Sequence, residues 1–300
     1  MINLKNPKKT PLIKIYDKNR NNNIYLKDET QQYTSAFKYR GVYNKCKKIN
    51  FSNYNGIVTA STGNHAQAVS FISNQLNVKC VVFIPFNTPI KKQKKILKYN
   101  AEIHKSRKIK TYQQCMEEAI RYSKNNNYIY IPSFDDLDII EGHQSMFDEI
   151  DMSKINYCFC PIGGGGLISS LLTYGGDHKV YGVELVDNDD MNQSLNAGRI
   201  VDIDLNIREK NSYCEGMLVS RVGDITFSIA KKYGLEVILV TEADIRKSII
   251  DLNKINIKAE GAGASSYAAY KQTNIVNSNV LCIISGGNID EEVFEMIIKG

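Results

Sequence analysis

The chain has 300 residues, is 43% hydrophobic and carries a formal net charge of +6, with 38 Lys and Arg against 32 Asp and Glu. That length and apolar content suit one large or two smaller globular units that fold without staples. No apolar stretch approaches the ~20 residues of a membrane span and none follows the first Met, so neither a membrane partner nor a secretory leader is expected, and a cytoplasmic setting is.

In chain order, Ile24–Lys27 predicts a short strand, and Thr34-Ser35-Ala36 runs into a helix over 37–48 with Lys38 in its first turn. A strand over 56–60, the loop Ser61-Thr62-Gly63-Asn64-His65 and apolar residues at helical spacing (Ala66, Val69, Ile72, Leu76) make a strand-loop-helix unit. A buried strand over 79–84 precedes the basic run Lys91-Lys92-Gln93-Lys94-Lys95. No aromatic is interleaved there, so it reads as a solvated helix face and a nucleic-acid partner is not expected. Strands at 101–103 and 128–131 bracket a helix over 112–125, an alternation typical of repeated βαβ units. Next comes a helix ending near Ile150. The strand 157–162 then enters Gly163-Gly164-Gly165-Gly166 and a helix from about Leu167. A strand at 179–184, a polar stretch read as loop, a helix at 224–233, a strand at 236–240, helices from Glu242 and Gly263, a strand at 279–284 and a short terminal helix complete the chain. The seven cysteines are odd in number and scattered through apolar segments, so they read as reduced core residues. They lack zinc-ligand spacing, and no metal is expected.

Three loops carry chemistry. A lysine in the first turn of a helix has its charge opposed by the helix dipole and by any burial, which favours a neutral amine able to attack an aldehyde. Four glycines between a strand and a helix let the backbone approach an anion and aim its amides at it, as in a phosphate cradle; a flexible turn is the alternative. A dinucleotide fingerprint, with Glu184 as its acid, fails because Ile168 occupies the third glycine position, and a nucleotide-triphosphate loop lacks its Gly-Lys-Ser/Thr. Ser61 to His65, ahead of a helix, suits a carboxylate, unless Ser61 or Thr62 only caps that helix.

In this order, the motifs Ser-X-Phe-Lys-X-Arg-Gly (35–41), Ser-X-Gly-Asn-His-X-Gln (61–67), tetraglycine-Leu-Ile (163–168), Glu-X-Ala-Gly-Ala (260–264) and Ser-Gly-Gly-Asn (285–288) resemble those of the fold-type-II, tryptophan-synthase-β-like pyridoxal-phosphate enzymes. Among these, the threonine dehydratases and serine racemases are the most similar subgroup. The resemblance implies a two-domain α/β fold of twisted, mostly parallel sheets flanked by helices. Residues 1–55 and 138–300 would form the larger, cofactor-binding domain, and 56–137 a smaller mobile domain that closes over the substrate. It further implies pyridoxal 5'-phosphate as cofactor, with Lys38 forming a Schiff base to it and later moving the α-proton. Phe37 would pack near the ring, Asn64 bond the ring hydroxyl, Ser285 face the ring nitrogen, and Gly163, Gly164, Gly165, Gly166 and Leu167 hold the phosphate, with Glu260 also at the cofactor. Ser61, Thr62, Gly63, Asn64 and His65 would grip the substrate carboxylate, with His143 near the substrate mouth and Thr62 as a second acid/base of the kind racemases use.

The activity so implied is elimination of water from a hydroxy amino acid such as threonine or serine, giving a 2-oxo acid and ammonia, with racemisation as a side activity. A serine at the ring nitrogen agrees, because a neutral pyridine favours elimination over transamination. The alternatives are a β-replacement or other lyase or synthase of the diaminopropionate, cysteine or threonine synthase type, and a catalytically silent binding protein. A homodimer is part of the resemblance, and with no residues after Gly300 an allosteric domain is not expected. Three departures from the subgroup bear on substrate choice: Ala36 for serine, Gly261 for proline after Glu260, and Gly142-His143-Gln144-Ser145 for Gly-Gln-Gly-Thr.

Overall fold

The computed structural model describes residues 4–109, 111–204 and 212–299. The strands are β1 Leu12–Asp17, β2 Asn22–Asp28, β3 Gly56–Ala60, β4 Cys80–Phe83, β5 Glu102–His104, β6 Tyr128–Tyr130, β7 Tyr157–Pro161, β8 Lys179–Leu185, β9 Glu236–Val240 and β10 Asn279–Ile284. They form a six-stranded sheet, β1-β2-β10-β7-β8-β9, and a four-stranded sheet, β5-β4-β3-β6. Among the described residues, only the β1–β2 strand pair is antiparallel. The expected α/β architecture of mostly parallel sheets is present, and it explains the continuous apolar runs: strands covered on both faces have no solvent side to alternate toward.

The described residues divide into two compact units. One holds the residues up to Pro7 together with Lys38–Gly142; the other runs from Lys8 to Phe37 and from His143 onward. Residues 38–55, expected with the larger unit, therefore pack with the smaller sheet. The helix Lys38–Lys47 lies on the helix Asn64–Leu76, where fully buried Tyr39 meets the Phe71 ring edge-on at 5.8 Å.

In the larger unit the period of two along each strand sorts the core into two layers. Phe159, Val280, Cys282 and Ile284 face the helices Glu242–Asn253, Gly261–Gln272 and Glu291–Lys299; Cys158, Cys160, Leu281 and Ile283 face the helices Gly166–Tyr174 and Asp224–Lys232. In the smaller unit, Val58, Ala60, Val81 and Phe83 pack on Cys115 and Ala119 of the helix Tyr112–Asn126. All seven cysteines are buried free thiols. Among the described residues no helix is long and apolar enough to cross a membrane.

Three elements differ from the sequence reading. β1 was not anticipated. The helix expected to end near Ile150 spans Leu137–Gln144, followed by a short turn at Phe147–Glu149. The polar stretch read as loop contains the helix Asp190–Ala197, while its residues 205–211 lie outside the described residues.

Candidate active site

In the smaller unit, Lys38 is the first residue of its helix, and its Nζ donates to the carbonyl of Ser133 at 2.7 Å. Desolvation brings the amine down from 10.5 to about 8. An ordinary lysine is about 0.1% neutral near pH 7.5, whereas this one is neutral in about a quarter of molecules. The Ser133 hydroxyl donates in turn to the carbonyl of Ala60 at 3.3 Å and receives the Tyr112 hydroxyl at 3.3 Å, so the acceptor of the lysine is anchored to the end of β3 and to a neighbouring helix.

The loop Ser61–His65 follows β3 directly. Its helix begins at Asn64 with Gly63 as N-cap, and Ser61 Oγ accepts from the Gly63 amide at 3.2 Å. Gly63, rather than Ser61 or Thr62, therefore holds the N-cap position. The first-turn amides of a helix have no intrahelical acceptor, so a helix start of this kind attracts an anion. His65 is buried, with Nε2 3.0 Å from Thr59 Oγ1 and 3.1 Å from the carbonyl of Ile131, to which Thr59 Oγ1 donates at 2.7 Å. The Thr59 proton is already committed, so Nε2 carries the ring hydrogen and Nδ1 is a bare acceptor. Burial, with Lys38 adding to it, pushes the imidazole down to about 3, so it is neutral at any working pH.

In the larger unit, β7 feeds the glycine turn. Gly165 has φ +91°, a conformation that suits glycine, and a Cβ there would sit 2.7 Å from Thr226 Cβ. A Cβ on Gly163 would lie 2.5 Å from the carbonyl of Gly216. The turn opens the helix Gly166–Tyr174, which has no side-chain cap, and Leu167 in its first turn is buried. Glu184, the acid of the dinucleotide reading, is buried and accepts the amides of Met191 and Asn192 at 3.0 and 2.9 Å. It therefore caps the helix Asp190–Ala197.

Ser285, 3% exposed, directly follows β10 and accepts the amide of Phe37 on its carbonyl at 3.0 Å. Ala36 bridges Gly286, the Gly287 amide donates to Ser35 at 2.9 Å, and Asn288 Nδ2 donates to Thr34 at 2.7 Å. These bonds hold Thr34 and Ser35 at φ 60° and 54°, strained values for non-glycine residues immediately before the lysine. The Glu260 amide donates to the carbonyl of Gly286 at 3.0 Å. Buried His143 packs against the Phe37 ring at a tilt of 58°, with centroids 4.7 Å apart. The glycine at 261 has a local reason: its amide donates to the carbonyl of Tyr213 at 3.1 Å, which a proline could not do.

The anticipated residues thus fall into two sets. Lys38 and Ser61 to His65 belong to the smaller unit; Phe37, His143, Gly163 to Leu167, Glu260 and Ser285 belong to the larger. A family model for pyridoxal-phosphate dependent enzymes matches residues 4–286. The chain belongs to that family. It is 36% identical to the biosynthetic L-threonine dehydratase of Staphylococcus epidermidis over 287 residues, 90% of this chain and 67% of that protein. Among solved structures, the processed form of threonine deaminase isoform 2 from Solanum lycopersicum matches with a TM-score of 0.85 at 28% identity, covering 98% of this chain and 89% of that one. Serine racemase from Dictyostelium discoideum matches with a TM-score of 0.81 at 29% identity, covering 95% and 94%.

The chain is accordingly a pyridoxal-phosphate-dependent enzyme, and its residues fit the cofactor. A desolvated amine near neutrality suits an aldehyde, and a turn whose Cβ positions are already filled, opening an uncapped helix, suits a phosphate. Sequence reasoning missed Thr226, Thr59 and Ser133, which act on backbone carbonyls and leave no local motif.

Proposed function

We propose that the enzyme deaminates a hydroxy amino acid, threonine or serine, to a 2-oxo acid and ammonia by eliminating water. The observation that carries this reading is the Lys38 amine, held at about 8 by burial and aimed by the carbonyl of Ser133. Pyridoxal phosphate, when bound, draws electrons from the α-carbon of the amino acid and so acidifies its α-proton. Lys38 Nζ would hold the cofactor aldehyde and serve as the base for that proton, because a group near pH 8 both accepts and returns a proton readily.

The loop Ser61–His65 would bind the substrate carboxylate with its amides, and the His65–Thr59–Ile131 hydrogen bonds keep that loop in shape. Asn64 would hold the ring hydroxyl, Ser285 the ring nitrogen, Phe37 the ring face, and Gly163 to Leu167 the phosphate. Glu260 backs the Ser285–Gly286 turn. Thr62 supplies the hydroxyl through which some racemisation accompanies elimination, and His143, packed against Phe37, bears on side-chain preference. The likeness to threonine dehydratase, at 36% identity, supports the dehydratase reading over β-replacement. A cytoplasmic homodimer belongs to the same proposal; the free thiols support the reducing setting, and sedimentation tests the dimer.

The test is a panel of amino acids assayed for 2-oxo acid and ammonia. Release from threonine or serine alone, abolished by Lys38→Ala, is the expected result. Turnover only when a second nucleophile is added would replace this reading with β-replacement.

A further inference from the structure

We propose that Thr226 is a positioning residue for the cofactor phosphate, acting through the peptide between Gly164 and Gly165. The inference rests on the reading of the glycine turn as the phosphate cradle. Thr226 is fully buried in the first turn of the helix Asp224–Lys232, and its hydroxyl lies 2.8 Å from the carbonyl of Gly164, 62 residues away. A second acceptor, the carbonyl of Gly223, lies at 3.1 Å and also receives the Phe227 amide at 2.9 Å. The contact to Gly164 is the shorter of the two and the one with an oxygen that Thr226 alone ties to this helix, so the hydroxyl proton is assigned to it.

The consequence follows from peptide geometry. In a trans peptide the C=O and the following N–H point in opposite directions, and the described chain has no cis bond. Tying the carbonyl of Gly164 back to Thr226 turns the amide of Gly165 to the opposite side of the turn. Without that tie, a peptide flanked by glycines rotates at little cost, and the amide loses its fixed aim. Thr226 also fills the space beside Gly165: its Cβ would stand 2.7 Å from a Cβ at that position. One side chain thus sets the peptide plane and enforces glycine in the cradle.

The test compares wild type, Thr226→Val and Thr226→Ser for binding of pyridoxal phosphate and of pyridoxal, which keeps the aldehyde and lacks the phosphate. Valine keeps the β-branched shape and removes the donor; serine keeps the donor. The expected result for Thr226→Val is a loss of about 5- to 10-fold in pyridoxal phosphate affinity, as one hydrogen bond predicts. Pyridoxal affinity should stay within about twofold, and Thr226→Ser should bind like wild type. Unchanged pyridoxal phosphate affinity in Thr226→Val, or an equal loss for both ligands, overturns the role of Thr226. If wild type itself binds pyridoxal as tightly as pyridoxal phosphate, the cradle reading fails, and the inference with it. Should Thr226→Val not fold, the Gly165 amide resonance of wild type decides. A shift on titrating the cofactor-stripped protein with inorganic phosphate is expected, and a resonance that does not move refutes the proposal.

Discussion

Replacing Lys38 by Met should stabilise the cofactor-stripped protein while destroying its activity. Folding takes this amine from 10.5 to about 8, so holding it charged in the native state costs about 3 kcal/mol near neutrality. Methionine has similar length and no charge to desolvate. It forfeits the hydrogen bond to the carbonyl of Ser133, worth about 1 kcal/mol, so the net gain near pH 7 is about 2 kcal/mol. The sign against pH is fixed by linkage. Between the two pKa values the unfolded chain binds the proton and the folded chain does not, so wild-type stability climbs as pH rises from 8 toward 10.5, and the full cost is present below 8. By about pH 9.5 roughly 2 kcal/mol of that cost is relieved and the variant loses its advantage. Urea melts of both stripped proteins at the two pH values measure this. A variant less stable than wild type near pH 7, or a gap that does not shrink on going alkaline, would show that burial does not disfavour the charge.

Gly165→Ala should destabilise by about 3 kcal/mol, because it combines a left-handed backbone with a contact at 2.7 Å to Thr226; a chemical melt within 1 kcal/mol of wild type would contradict the geometry. Gly261→Pro, which restores the residue usual in the dehydratase subgroup, should destabilise by about 2 kcal/mol or more, since it removes the amide bonded to Tyr213 and places a Cβ 2.1 Å from that carbonyl. A higher melting temperature for this variant would argue against the Tyr213 contact. His65 should remain neutral with the hydrogen on Nε2 from about pH 5 to 9, because its pKa is depressed to about 3; imidazole nitrogen shifts that titrate near 6.5 would contradict this.

What was legible in the sequence is what the cofactor and substrate demand as residue type at a spacing. The Ser-X-Gly-Asn-His loop and the four glycines each occupy a strand-to-helix junction, and the lysine opens a helix after a small-residue turn, as read. Elements whose stability comes from elsewhere in the chain were harder. The helix Asp190–Ala197 has few apolar residues and is capped from outside by Glu184, so the apolar periodicity that marks a helix is missing. β1, an edge strand with a half-exposed alternating pattern, gains its identity from pairing with β2. Gly142 lies within the helix Leu137–Gln144. There it is required: a Cβ would lie 2.7 Å from the carbonyl of Arg40 and 2.5 Å from Asn44 Cβ, so glycine permits the close approach of a neighbouring helix.

The lysine motif shows why local reading reaches a limit. Ser35 to Gly41 reads as one turn entering one helix, yet the division between compact units falls inside it, after Phe37. Ala36 and Phe37 are tied to the Ser285–Gly286 turn, while Lys38 is tied to Ser133. A single covalent step therefore joins residues held by unrelated parts of the chain, and the aim of the amine depends on a carbonyl 95 positions away. Thr226 acts on Gly164 in the same way, through a carbonyl and at a distance of 62 residues. The groups that perform chemistry must have particular side chains and so leave motifs. The groups that aim them need only a donor or an acceptor, which many residues supply, and these become visible only when the chain is folded.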